Sequence, residues 1–295
     1  MEQSFILKIA QELSLKAVQV LAVLELLQGG GTVPFIARYR KEATGTLDEV
    51  AITKIRDRYQ QLVELEKRRA AILQSIKEQG KLTEELETRI KEALTLTVLE
   101  DLYLPYRPKR RTRATIAKEK GLEALAKILF EQKGVDPEKV AIDFVSEEKK
   151  VMSTDEALTG ARDIIAEWVS EDAEVRAILR ILYIEQGIMI SKVIKGKEED
   201  GSKFKDYFDW KELARSSPSH RILAVRRGEK EAFLVVKLEV PEEEAIKILF
   251  KQFIKGKGAD TQQVMMALED SFKRLLSLSL ENEYRLELKK RADAE

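Results

Sequence analysis

Apolar residues recur at helical spacing through most of this chain, and the breaks between those runs mark its elements. Phe5, Ile6, Ile9, Ala10 and Leu13 form one helical face. Ser14 stands where a cap is wanted before a second helix over 15–27. Val18, Val20, Leu21, Val23, Leu24, Leu26 and Leu27 surround that second helix, so it is expected to be buried on most sides. Gly29, Gly30 and Gly31 end it, and Thr32 and Pro34 suit the start of a third. Two helices, a glycine turn and a short basic helix have a helix-turn-helix shape. Thr46 or Asp48 caps a long helix over 48–79 with the stripe Ile52, Ile55, Tyr59, Leu62, Ala70, Leu73 and Ile76. After Gly80 and Thr83 a helix over 85–96 returns along it, an antiparallel helical hairpin.

Further helices are expected over 121–132, from Asp136-Pro137, from the capping-box pair Ser153 and Glu156 to Val169, and from Ser170 or Asp172 to Gly187. The stretch 188–194 is β-branched and alternating, and 231–240 has period two, so the two form a small sheet. In the hinge 195–203, Glu198, Glu199 and Asp200 cancel Lys195, Lys197 and Lys203. Phe204, Tyr207, Phe208 and Trp210 are an aromatic cluster open to two readings, a plug on the core or a surface that stacks bases. A short helix should run from Pro218 to Arg227, and Pro241 opens another whose first turn is acidic. Asp260 or Thr261 caps a last, long helix. Its stripe Val264, Leu268, Phe272, Leu276, Leu280, Tyr284 and Leu288 steps by four, which overshoots the turn and winds round the helix as in a spine crossing several elements.

The expected fold is mainly α: an elongated multi-helical assembly with an N-terminal helix-turn-helix-like unit, a long helical hairpin, a minor β element near 188–240 and a C-terminal spine helix. Three regions follow: 1–120, helical; 121–200, a central helical region; and 201–295, a small α/β segment with the spine.

Charge narrows the function. Lys plus Arg and Asp plus Glu are both 52, so an anionic partner must meet a local patch, not a global field. The chain has no cysteine and a single histidine, His220, which leaves no thiolate chemistry and little for a zinc site. No phosphate-binding glycine loop occurs, since Gly29 to Gly31 lack the lysine and the strand. His220 and Arg221 beside Arg226 and Arg227 read as a polar cluster. The chain is expected to be non-catalytic, without cofactor or metal. With no long apolar run and no signal pattern, it is expected to be cytoplasmic and away from membranes.

The strongest local signal is 99–122. Leu99, Leu102, Tyr103 and Leu104 are an apolar anchor, after which Pro105 and Pro108 oppose a helix. Arg107, Lys109, Arg110, Arg111 and Arg113 then place five cations in seven positions with no acid among them. They are either a solvated loop paired with acids elsewhere or a contact for phosphates. Arg38, Arg40 and Lys41 are a second basic patch. Arg38 and Arg40 cannot share a helix face, which suggests a buried or interdomain ion pair for one of them.

LEDLYLPYRPKRRTRA with Lys118, Lys120, Gly121 and Leu122, TVPFIARYRKEATGTLDE at 32–49 and PSHRILAVRRGEKE at 218–231 together resemble the bacterial Tex family of transcription accessory proteins. Ala232 stands where that family usually has glycine. The resemblance covers essentially the whole chain. It implies the N-terminal portion of a longer protein, whose RNase-H-like YqgF domain, helix-hairpin-helix motifs and C-terminal OB-fold RNA-binding domain are absent here. It implies binding of RNA or single-stranded DNA, weak in this portion, with Arg107, Lys109, Arg110, Arg111 and Arg113 on phosphates and Arg38, Arg40 and Lys41 as a second contact. The alternative is a helical scaffold that docks on a protein of the transcription machinery and positions the domains absent here.

Overall fold

A computed structural model describes residues 3–294; Met1, Glu2 and Glu295, at the ends of the first and last predicted regions, lie outside it. The chain divides into two compact units, Met1–Glu100 and Asp101–Glu295.

In the first unit, α1 (Gln3–Glu12) and α2 (Ala17–Gln28) lead into α3 (Val33–Tyr39), the single turn α4 (Lys41–Thr44) and the long α5 (Glu49–Glu78). Ser14 is a turn residue with φ 55°, not a cap, and α2 begins beyond Lys16, whose amide donates to the Gln19 side chain at 3.2 Å. The all-round apolar surface of α2 is only partly used. Val20, Val23 and Leu24 are buried, while Val18 is 75% and Leu21 36% exposed, because the small unit supplies core on one side only. The turn after α2 needs glycine twice: Gly30 has φ +88°, and a Cβ on Gly31 would lie 2.8 Å from the Leu26 carbonyl oxygen. Asp48 caps α5 by accepting from the Ala51 amide at 2.7 Å. The later stripe of α5 runs through Leu65, Ile72 and Ile76, with Ala70 exposed. α6 (Glu84–Glu92) packs back on α5, and Arg69 donates to the Ile90 and Ala93 carbonyls at its C-terminal end. Ala93 leaves helical geometry with ψ 119°, so the predicted return helix stops early and α7 (Leu96–Tyr103) follows.

The second unit contains α8 (Arg113–Glu119), α9 (Glu123–Glu131), α10 (Pro137–Ile142), α11 (Thr154–Ser170) and α12 (Ala173–Gln186). After them come β1 (Ile188–Val193), β2 (Asp209–Leu213), α13 (Ser219–Lys230), β3 (Leu234–Glu239), α14 (Glu242–Phe253), α15 (Ala259–Asp270) and α16 (Ser277–Ala294). α11 is the centre of its packing and touches α8, α9, α10 and α15. The sheet has three antiparallel strands in the order β2-β1-β3, one more than expected. β3 follows the expected alternation, with Leu234, Val236 and Leu238 buried.

α15 and α16 are joined by a π-helical segment, Ser271–Leu276, into one continuous helix. Every member of the four-residue series from Val264 to Leu288 is buried, and Ala292 extends it. The winding has the expected result. α15 packs on α9, α10, α11 and α14, whereas α16 packs on α12, α13 and β3. Asp260 does not cap this helix in the expected way. It is fully buried and accepts from the Gly134 and Val135 amides at 2.7 and 3.1 Å, tying the end of α9 to the spine.

A buried charge network locks the middle of this unit. Asp101 accepts from Arg176 Nε at 2.6 Å and from Arg180 at 2.7 Å, and both arginines also reach Glu283 of α16. Asp101 and Arg176 side chains are each 7% exposed. Removing one partner of a buried pair strands the other charge, at about 3–5 kcal/mol. Asp101→Ala should therefore lower the stability of the chain by about that amount in urea denaturation. A loss below about 1 kcal/mol would be the value of a surface pair and would show that the network is solvated.

Candidate nucleic-acid interface

The basic stretch starts from a fixed point. Leu99, Leu102 and Tyr103 are buried on α7, as their spacing predicts. Pro105 does not end helical geometry at once. It sits inside a 3-10 turn, Leu104–Tyr106, that follows directly on α7. Arg107, which precedes Pro108, is extended with ψ 134°. The non-helical stretch is then short, because Thr112 caps α8, accepting from the Thr115 amide at 3.0 Å while Thr115 Oγ1 accepts from the Thr112 amide at 2.7 Å. That reciprocal cap has Thr in place of the usual acid, so it escapes a search for the common capping-box pattern.

The five cations divide into two groups. Lys109 turns inward: its Nζ lies 2.6 Å from Glu171 and 3.1 Å from Glu167, and its side chain is 23% exposed. Glu167, on α11, is 8% exposed and also takes Lys118 Nζ at 3.2 Å and the Thr112 hydroxyl at 3.0 Å. One buried carboxylate thus holds the loop, the first turn of α8 and its last turn. Burial opposes the charge on Lys109, but Glu171 and Glu167 outweigh it and raise its pKa. Burial likewise opposes the charge on Glu167, yet the bonds and charges of Lys109, Thr112 and Lys118 hold it below its ordinary value of 4.5. For Glu171 burial prevails over Lys109, and its pKa is raised.

Arg107, Arg110, Arg111 and Arg113 are exposed. Arg111 makes a surface contact to Glu119 at 3.4 Å, and Arg113 acts on Asp163 through its field. Among the described residues Arg107 and Arg110 carry no ion pair. The loop is therefore held by one lysine and presents four arginines.

The second patch lies on α3 and its end. Ile36 and Ala37 anchor that helix in the core. Arg38 and Arg40 are both exposed, so of the buried or interdomain ion pair expected for one of them the buried form is not made. Arg38 meets Glu49 at 3.9 Å with both side chains more than half exposed. The face argument fails because α3 ends at Tyr39. Arg40, with φ −128°, leaves the helix and folds back over the Phe35 ring at 5.7 Å. Lys41 is exposed.

The aromatic cluster near β2 packs inward. Phe204 is buried, Tyr207, Phe208 and Trp210 pack against the core, and Tyr207 meets Trp210 edge-on at 5.6 Å. His220 is exposed on α13, where Arg221 pairs with Glu212 at 2.7 Å. Among the described residues no three His, Cys, Asp or Glu side chains are grouped to hold a metal ion, and no helix is long and apolar enough to cross a membrane.

Comparison with known families gives two matches. Residues 3–77 match the Tex-like protein N-terminal domain, and residues 132–295 match the Tex central region-like family. α3 lies inside the first match, while the arginine loop falls between the two. The transcriptional accessory protein Tex of Neisseria gonorrhoeae is 48% identical over 78% of this chain and 30% of its own length. YdcI of Bacillus subtilis is 40% identical over 99% of this chain and 41% of its own length. The S1 RNA-binding domain-containing protein 1 of Homo sapiens is 27% identical over 92% of this chain and 29% of its own length. The chain thus spans less than half the length of these relatives.

The clamp makes an acid-linked prediction. The folded pKa of Glu167 lies below its unfolded value, so its stabilisation is present above about pH 4.5 and is lost as pH falls through the folded value. Glu167→Gln should cost about 1.5–3 kcal/mol near pH 7 in urea denaturation, with the gap from the parent protein narrowing below pH 4.5. A gap that stays constant down to pH 3 would show that the Glu167 charge contributes nothing to the clamp.

Proposed function

This chain belongs to the Tex family, and on that footing we propose that it is part of a transcription accessory protein that associates with RNA or single-stranded DNA in the cytoplasm, without catalysis. The observation that carries this reading is the division of labour in the loop. Lys109 is held by Glu167 and Glu171, so the loop keeps its shape, and Arg107, Arg110, Arg111 and Arg113 stand outward. Arginine forks suit phosphate oxygens, and such contacts bind the backbone without reading sequence. Arg38, Arg40 and Lys41 are a second, separate contact. The names of the relatives from Neisseria and from human support the assignment in kind, one through transcription and one through RNA. Binding by this portion alone is weak, because a few phosphate contacts supply little affinity at physiological salt.

A second reading is favoured by one observation. Ile178, Ile181, Ile184 and Ile188 form an exposed aliphatic row along α12 and into β1, suited to a protein partner or to further domains of a longer chain. In that reading the chain is a helical scaffold for the transcription machinery.

Anisotropy of labelled single-stranded RNA and of duplex DNA, measured across a salt series, separates the two. Four phosphate contacts to a single strand give a log–log slope near −2.8, at roughly −0.7 per contact. A variant with Arg107, Arg110, Arg111 and Arg113 all changed to alanine should lose most of that slope. Absence of binding by the parent protein at low salt would overturn the nucleic-acid reading and leave the scaffold.

A further inference from the structure

The residues between the cations of the second patch carry a further assignment. Phe35 and Tyr39 are four apart on α3, on the side away from the buried Ile36 and Ala37. Their ring centroids are 5.4 Å apart with the planes tilted by 42°. Although they pack on each other, and Arg40 covers Phe35 from one side, Phe35 remains 42% and Tyr39 70% exposed. An isolated exposed aromatic is ordinary. Two adjacent rings on a short helix anchored in the core, with Arg38, Arg40 and Lys41 around them, are a different arrangement. The nearest acids in sequence are Glu42, Asp48 and Glu49; Asp48 is engaged in capping α5, and Glu49 meets Arg38 at 3.9 Å with both side chains exposed. The patch combines flat apolar faces with cations, the two features by which proteins hold unpaired bases and the phosphates between them.

We propose that Phe35 and Tyr39 form a stacking platform for unpaired bases of a single-stranded nucleic acid, with Arg38 and Lys41 holding the flanking phosphates. This rests on the nucleic-acid reading above and adds to it a contact with bases. The two rings are tilted, so each offers its face to a separate base. Arg40 backs Phe35 and fixes the ring. The platform takes any base, since every base has a π face, and it excludes duplex, whose bases are already stacked on each other.

The test compares two labelled strands of equal length, a thymidine oligonucleotide and a strand in which abasic spacers replace the bases, against the whole chain. The parent protein should bind the thymidine strand about tenfold or more tightly than the abasic one. Changing Phe35→Ala and Tyr39→Ala together should remove that preference and leave the salt slope unaltered, because the phosphate contacts persist. Phe35→Leu with Tyr39→Leu keeps apolar surface without π faces and should lose the preference as well. Both pairs of changes are on exposed side chains, and circular dichroism checks that each variant is folded. Equal binding of the two strands by the parent protein, or retention of the preference by the leucine variant, overturns the platform while the phosphate contacts stand. Failure of the parent protein to bind either strand at low salt overturns the nucleic-acid reading and the platform with it.

Discussion

An apolar row that repeats every four residues cannot remain on one side of an α-helix, because each step overshoots the turn by about 40°. The second unit is organised round that mismatch. To bury the row from Val264 to Ala292, the chain must supply core from directions that change along the helix, and it does so with α9, α10, α11 and α14 at one end and α12, α13 and β3 at the other. The segment Ser271–Leu276 eases the demand. A π turn takes more residues than an α turn, so there the four-residue step falls short and gives back part of the drift. Helices distant in sequence thus share one spine, and the charge network of Asp101, Arg176, Arg180 and Glu283 fixes where α12 meets it.

The basic loop shows how a charged surface can be ordered without being neutralised. A run of cations repels itself and tends to remain mobile. Here a single cation is withdrawn into contact with two glutamates on α11, and the order it imposes extends to the residues on either side. Shape and charge are therefore carried by different residues. Glu167 and Lys109 set the path of the chain, and the arginines supply the field.

Much of this was legible in the residues. Helix starts are legible where a side chain caps its own helix, as at Asp48, Ser153 and Asp172, because that interaction spans three residues and shows in the sequence. The spine was legible for the same reason, since its period is local. What escaped depends on contacts far apart in sequence. β2 reads DWKEL, and its strand character comes from pairing with β1 more than from any alternation of its own. Asp260 looked like a cap because the Gly134 and Val135 amides it serves lie more than a hundred residues away. Lys109 could not be told from its arginine neighbours until Glu167 and Glu171 were placed beside it. The exposure of Val18 and Leu21 depends on how much core the first unit can offer, which no window of α2 contains.

The π segment has a consequence for chain length. A helix that holds a wide turn holds, in effect, a residue to spare. Losing one residue within Ser271–Leu276 lets the turn close to α geometry, with the rows on both sides still facing their cores. Losing one anywhere else along the spine turns everything beyond it by about 100° and carries the row off its neighbours. A drifting sequence can therefore lose a residue within these six positions at the least disturbance to the rest.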